Sequence, residues 1–238
     1  MTGASWSKLP GEQRRFWVRM IATVPRSRPN LNQAINALIR DAARNIPEFA
    51  HIKPSRILVV AGEARRASRG TVKPLAFAGG KSVDRTTGRK KPIVRVQGRR
   101  MLYSITLRPL FFRNSTPQER VETILHELFH VSPAFDGTLD RTRRHERMGP
   151  NFARSLRPIV RRYLKQCPSS LLEAFSFHGE VLMLQWLERP TAAFLPKINN
   201  MRRVYTEEHL FLGPVQMRTR RPARNPKRTT SPARETDA

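Results

Sequence analysis

A single cysteine, Cys167, stands in 238 residues, so no disulfide can form within the chain and no cysteine-built zinc ribbon can exist. Acidic residues are also scarce. Against 45 Lys+Arg there are only 18 Asp+Glu, a net charge of +27 and a pI near 11.8. A surface of that sign attracts polyanions, nucleic acid first among them, through release of condensed counterions. Long apolar runs are missing too: the most apolar N-terminal stretch, residues 16–24, is broken by Arg19 and is too short to cross a bilayer. The N-terminus has no signal-peptide pattern. The expectation is a soluble, cytoplasmic protein with no membrane partner. No internal repeat is visible. What is present suffices for a core, since 39% of the residues are hydrophobic, which excludes disorder along the whole chain.

Apolar residues recur at helical spacing in residues 30–45 (Leu31, Ala34, Ile35, Leu38, Ile39, Ala42) and again in residues 151–166 (Phe152, Leu156, Ile159, Val160, Leu164). Residues 56–60 and 101–107 read as strands, residues 169–175 as a short helix, and residues 180–187 as a strand or a helix. A further strand is expected within residues 204–215. Between residues 64 and 100 the chain is glycine-rich and basic, with short apolar pieces at residues 75–78 and 93–96, a pattern of strands and hairpins joined by basic loops. The sequence thus divides into an N-terminal extension (1–30), which holds a short helix at residues 12–22 and a Pro/Arg linker, one domain (31–216), and a tail (217–238). The tail has almost no apolar residue and is expected to be disordered. Its Arg218, Arg220, Arg221, Arg224, Lys227 and Arg228 would seek polyanions.

The chemistry lies in His126-Glu127-Leu128-Phe129-His130. Two histidines four apart share one face of an α-helix, because four residues is close to one turn. Their imidazoles can hold one Zn²⁺, with Glu127 beside the metal as general base. A zinc ion so held acidifies water and polarises a carbonyl. The helix beneath is well specified. Thr116 is the N-cap, Pro117 the first helical residue and Glu119 the partner in a capping box, and Val121, Leu125 and Leu128 form an apolar stripe widened by Ile124 and Phe129. Histidines on an ordinary amphipathic helix are usually core or surface residues; the glutamate between these two favours the ligand pair. Catalytic zinc takes three protein ligands, and three candidates follow His130. His145 is favoured on ligand type, Asp136 stands where metzincins place their last ligand, and Glu146 could act as the glutamate of gluzincins does. His51, His178 and His209 have no ligand spacing.

The run from His126 through Val131-Ser132-Pro133-Ala134-Phe135-Asp136-Gly137, continued to Arg143-Arg144-His145, resembles the phage-type metallopeptidases, which look like distant kin of the SprT/Spartan zincins. The resemblance covers residues 31–164. It implies an α+β zincin-like (minimal metallopeptidase) domain, with a small mixed sheet packed on helices that include the metal helix. It also implies His126, His130 and His145 as zinc ligands and Glu127 as base. In such folds an edge strand beside the metal helix takes the substrate in extended form; residues 101–107 or a neighbouring strand would have that role. Tyr103 and the arginines near His145 are the candidates for stabilising the oxyanion. The expected activity is zinc-dependent hydrolysis of a protein or peptide, and the charge points to substrates on or near nucleic acid, bound through the basic loops and tail. The alternatives are a nucleic-acid-binding protein with a structural or vestigial zinc site, and zinc hydrolysis of a non-peptide bond.

Overall fold

Ile57, Leu58, Val59, Val60 and Ala61 are all buried, so strand β1 (Ile57–Ala61) is covered on both faces. A strand that is apolar at every position, rather than at alternate ones, has this meaning. The computed structural model describes residues 28–62, 68–195 and 204–218. The expected helix at residues 12–22, Arg65 and Arg66, and nearly all of the expected tail lie outside the described residues.

Around β1 the chain builds β2 (Gly70–Pro74), β5 (Tyr103–Leu107), β6 (Gly179–Trp186) and β8 (Leu210–Met217) into a five-stranded mixed sheet, in the order β2-β5-β1-β6-β8. β1 runs parallel to both β5 and β6, while β2 and β8 close the two edges antiparallel to their neighbours. A second sheet, β4 (Arg99–Arg100), β3 (Ile93–Val96) and β7 (Val204–Tyr205), is smaller. Its hairpin turns at Gln97 and Gly98, both with positive φ, as a tight two-residue connection requires.

The helices are α1 (Leu31–Asn45), α2 (Pro109–Arg113), α3 (Pro117–Phe129), α4 (His145–Met148), α5 (Pro150–Gln166) and α6 (Ser169–Ser176). In α1 the Asn30 side chain accepts from the Gln33 N–H as N-cap, and Leu31, Ile35, Leu38, Ile39 and Ala42 turn inward. The main core gathers these with Ile57, Val59, Tyr103, Ile105 and the stripe of α3. On the other face of the large sheet, Leu58 and Val60 join Leu75, Val94, Met101 and Tyr205 in a second apolar cluster. The result is a mixed α/β architecture in three layers: helices, large sheet, small sheet. Met217, assigned from composition to the tail, is fully buried in the main core. Among the described residues no helix is long and apolar enough to cross a membrane.

Of the strands left open for the edge beside α3, residues 101–107 are not the one. β5 lies inside the sheet, between β1 and β2, and the edge belongs to β2. Glu119 fixes where that edge lies along α3. It completes the capping box with Thr116 and also pairs with Arg69 at 2.6 Å, one residue before β2.

Candidate metal centre

α3 starts at Thr116, whose side chain accepts from the Glu119 N–H while Glu119 accepts from the Thr116 N–H. From that register one side of the helix buries Val121, Ile124, Leu125 and Leu128, and the other carries Thr123, His126, Glu127 and His130 into a cleft of about 950 Å³. After α3 the chain reverses through residues 131–144 and brings back His145 at the start of α4. Three features hold that reversal. Gly137 has φ +88, and a Cβ there would stand 2.5 Å from the Ala76 Cβ. The Tyr103 hydroxyl accepts from the Gly137 N–H at 3.0 Å and donates to the Thr138 carbonyl at 2.9 Å. Asp136 accepts from the Gly79 amide and from the amide and hydroxyl of Thr138.

The Nε2 atoms of His126, His130 and His145 form a small triangle with sides of 3.0, 3.2 and 3.3 Å. Tetrahedral zinc with bonds of about 2.0–2.1 Å needs ligand nitrogens about 3.3–3.4 Å apart, so the three imidazoles can hold one metal ion with almost no movement. Among the described residues they are the group of His, Cys, Asp and Glu side chains close enough to do so. Neither Asp136 nor Glu146 joins them; Asp136 is spent on the loop, and Glu146 stands on the cleft wall.

The protonation states suit a cation. His130 Nδ1 lies 2.7 Å from the Arg143 carbonyl, which can only accept, so Nδ1 carries the proton and Nε2 presents its lone pair. Arg143 is itself fixed by Asp140 at 3.3 Å and by stacking over Phe129. Burial, with the neighbouring His130 and His145, drives His126 down to about 3. Burial also lowers His130. Neutral imidazole is the form that binds metal. Beneath all three rings lies Phe152 of α5, its centroid 4.7 Å from His126, 4.8 Å from His130 and 4.2 Å from His145. The helical pattern of residues 151–166 marks Phe152 only as inward-facing; its place under the triad depends on how α5 folds back.

Glu127 is 5% exposed. Its Oε2 accepts the Val72 N–H at 2.7 Å. Burial pushes its carboxyl up to about 7, against the opposing pull of the Val72 amide and the Arg108 charge; a cation held at the triad would pull it down again. Val72 belongs to β2. Arg69 and Leu75 exchange backbone hydrogen bonds with the β5 side, so by alternation Gly70 and Val72 turn their backbone groups outward, toward the cleft. Gly70 also permits the close approach of strand and helix. A Cβ there would stand 3.0 Å from Glu127 Oε1. Arg108 and Arg144 bring positive charge to the cleft wall. Arg108 donates to the Thr71 hydroxyl at 2.8 Å, and its Nε and Nη1 are buried with no acceptor among the described residues. Tyr103, by contrast, spends its hydroxyl under the loop. No protein-family model matches the chain, and neither a curated protein nor a solved structure matches it.

Proposed function

We propose that this chain is a zinc-dependent peptidase of the zincin type, with His126, His130 and His145 as the ligands and Glu127 as the general base. The observation that carries the reading is the convergence of three imidazole nitrogens beside a buried carboxylate, at the outer edge of a strand. A zinc ion bound there would polarise a peptide carbonyl and make water a better nucleophile. Glu127 takes the proton of the attacking water and hands it to the leaving amine. The Val72 amide aims its carboxylate. An extended peptide adds antiparallel to β2 along the outward backbone groups of Gly70 and Val72. Arg108 and Arg144 favour the negative charge that develops as the carbonyl is attacked.

Two further features support details of this reading. A structural ion is closed by a fourth protein ligand, and no fourth His, Cys, Asp or Glu of the described residues joins the triad. Next to the cleft, and sharing Leu139 and Arg144 with it, lies a hollow where Lys81, Arg85, Lys91, Arg141 and Arg144 outnumber Asp84 and Asp140, which with the net charge of +27 favours protein substrates held at nucleic acid.

The test is zinc content by elemental analysis, with casein and histone cleavage on the same samples. Wild type and Glu127→Gln should each carry one zinc per chain, and His145→Ala should lose it. Cleavage should fall at least about 100-fold in Glu127→Gln. Stoichiometric zinc without cleavage, with or without DNA, would instead favour a nucleic-acid-binding protein with a structural ion. Absence of zinc from the wild type would overturn both.

A further inference from the structure

The large sheet has a second hollow, of about 280 Å³, on the face turned away from the metal helix. Its position follows from strand alternation. On β5, Tyr103, Ile105 and Leu107 enter the core under the helices, so Ser104 and Thr106 point to the opposite face, where both line this hollow. The volume is near the lower end of the range for small-molecule sites, about 300–1,000 Å³.

Three kinds of group meet there. The first is ring surface: Trp186 and Phe77, with Lys91 Nζ 4.8 Å above the Phe77 ring. The second is hydroxyl. Ser104 and Thr106 are each 6% exposed, and Thr191 Oγ1 is buried with no hydrogen-bond partner among the described residues. Buried polar atoms in folded chains are almost always satisfied, so an unsatisfied one needs an explanation. The third is charge of one sign. Lys73, Arg89, Lys91 and Arg189 line the hollow, and none of the described lining residues is acidic. Lys91 donates to the Pro74 and Ala76 carbonyls at 3.1 and 2.6 Å, which leaves one of its three N–H donors. Burial and the repulsion of Arg89 bring Lys91 down to about 8. Arg89 has Asp84 as an electrostatic neighbour, but the partly buried Lys91 meets no acid on the described lining and is stabilised when an anion enters.

From this combination we infer that the hollow binds a mononucleotide unit, its phosphate held by Arg89 and Lys91, its base against Trp186 and Phe77, and the base edge met by the hydroxyls of Ser104, Thr106 and Thr191. A planar ring satisfies the aromatic surfaces, its heteroatoms satisfy the hydroxyls, and the phosphate gives Lys91 and Arg89 an anion on the hollow's side. The site is independent of the peptidase reading and on the other side of the sheet.

Calorimetric titration of the full chain with adenosine 5′-monophosphate tests it, with adenosine and inorganic phosphate as the separated halves. One site per chain is expected, at least about tenfold tighter for the nucleotide than for either half. Arg89→Ser, at an exposed position, should weaken it about tenfold, Ala193→Phe should fill the hollow and abolish it, and prior chelation should leave it unchanged. Displacement of the mononucleotide by a short single-stranded oligonucleotide would assign the site to a nucleotide within a strand, and failure to displace it to the free nucleotide. No saturation up to about 1 mM, binding unaffected by both substitutions, or binding lost on chelation would each overturn the inference.

Discussion

Gly70 and Glu127 lie 57 residues apart, yet the first determines where the carboxylate of the second can sit. A Cβ at position 70 would come within 3.0 Å of both Glu127 Oε1 and Thr123 Cγ2, so one or the other must move. Gly70→Ala is therefore expected to lower turnover by about tenfold or more, since small misplacements of a reacting group are costly, while zinc content stays the same. Steady-state kinetics with elemental analysis on one preparation would check this; unaltered turnover would mean that the Val72 amide does not fix the carboxylate. The sequence shows the first two histidines and the glutamate because helical periodicity alone sets their geometry. His145 is a candidate by ligand type, but the reversal that delivers it depends on Gly137, Tyr103 and Asp136. Asp136 looks like a ligand from its spacing, and the structure uses it to hold the turn. Gly70, Val72 and Phe152 are unreadable as site residues, because each comes from another part of the chain and has no pattern of its own.

The helix that carries His126 and Glu127, α3, is anchored by an arginine. Arg120 is 0% exposed and donates to the carbonyls of Phe111, Phe112, Phe175 and Arg218, so it ties α3 to α2, to the end of α6 and to the end of β8. Burial drives its pKa down to about 10, with Glu119 pulling the other way, and it remains a cation at neutral pH. Arg120→Met keeps the volume and removes every donor. Buried acceptors left without partners cost about 1–3 kcal/mol each, so a loss of at least about 3 kcal/mol is expected, seen as a lower denaturant midpoint. An unchanged midpoint would contradict this account. Position 120 falls beside the apolar stripe, and nothing in periodicity says that a charged residue there turns inward. The long elements were legible for the opposite reason. α1, α3 and α5 announce themselves through 3.6-residue spacing, α3 also through its capping box, and β1 through an unbroken apolar run. β2 is five residues, with glycine at one end and proline at the other, and becomes a strand only because β5 is there to pair with it.

At the scale of the whole molecule, the sheet is assembled from distant parts of the chain. β1 pairs with β5 some forty-six positions later and with β6 far beyond that, through Ile57↔Tyr103 and Ala61↔Gln185, so the two parallel ladders close long loops before they gain contacts. The last strand matters most for the cleft. β8 contributes the buried Met217, and Arg218 just past it offers one of the carbonyls that satisfy Arg120. A chain ending at residue 208 should accordingly bind no zinc at the triad and unfold without a cooperative transition, measured by elemental analysis and calorimetry. A cooperative, zinc-loaded fragment would show that the helix can be buried without that strand. The arrangement also has a temporal side. A growing polypeptide carries the motif of α3 long before it carries β8, and for that interval the histidines ride on a helix whose buried cation still lacks an acceptor. The order of synthesis thus delays the meeting of the three histidines until the segment through Arg218 has been made.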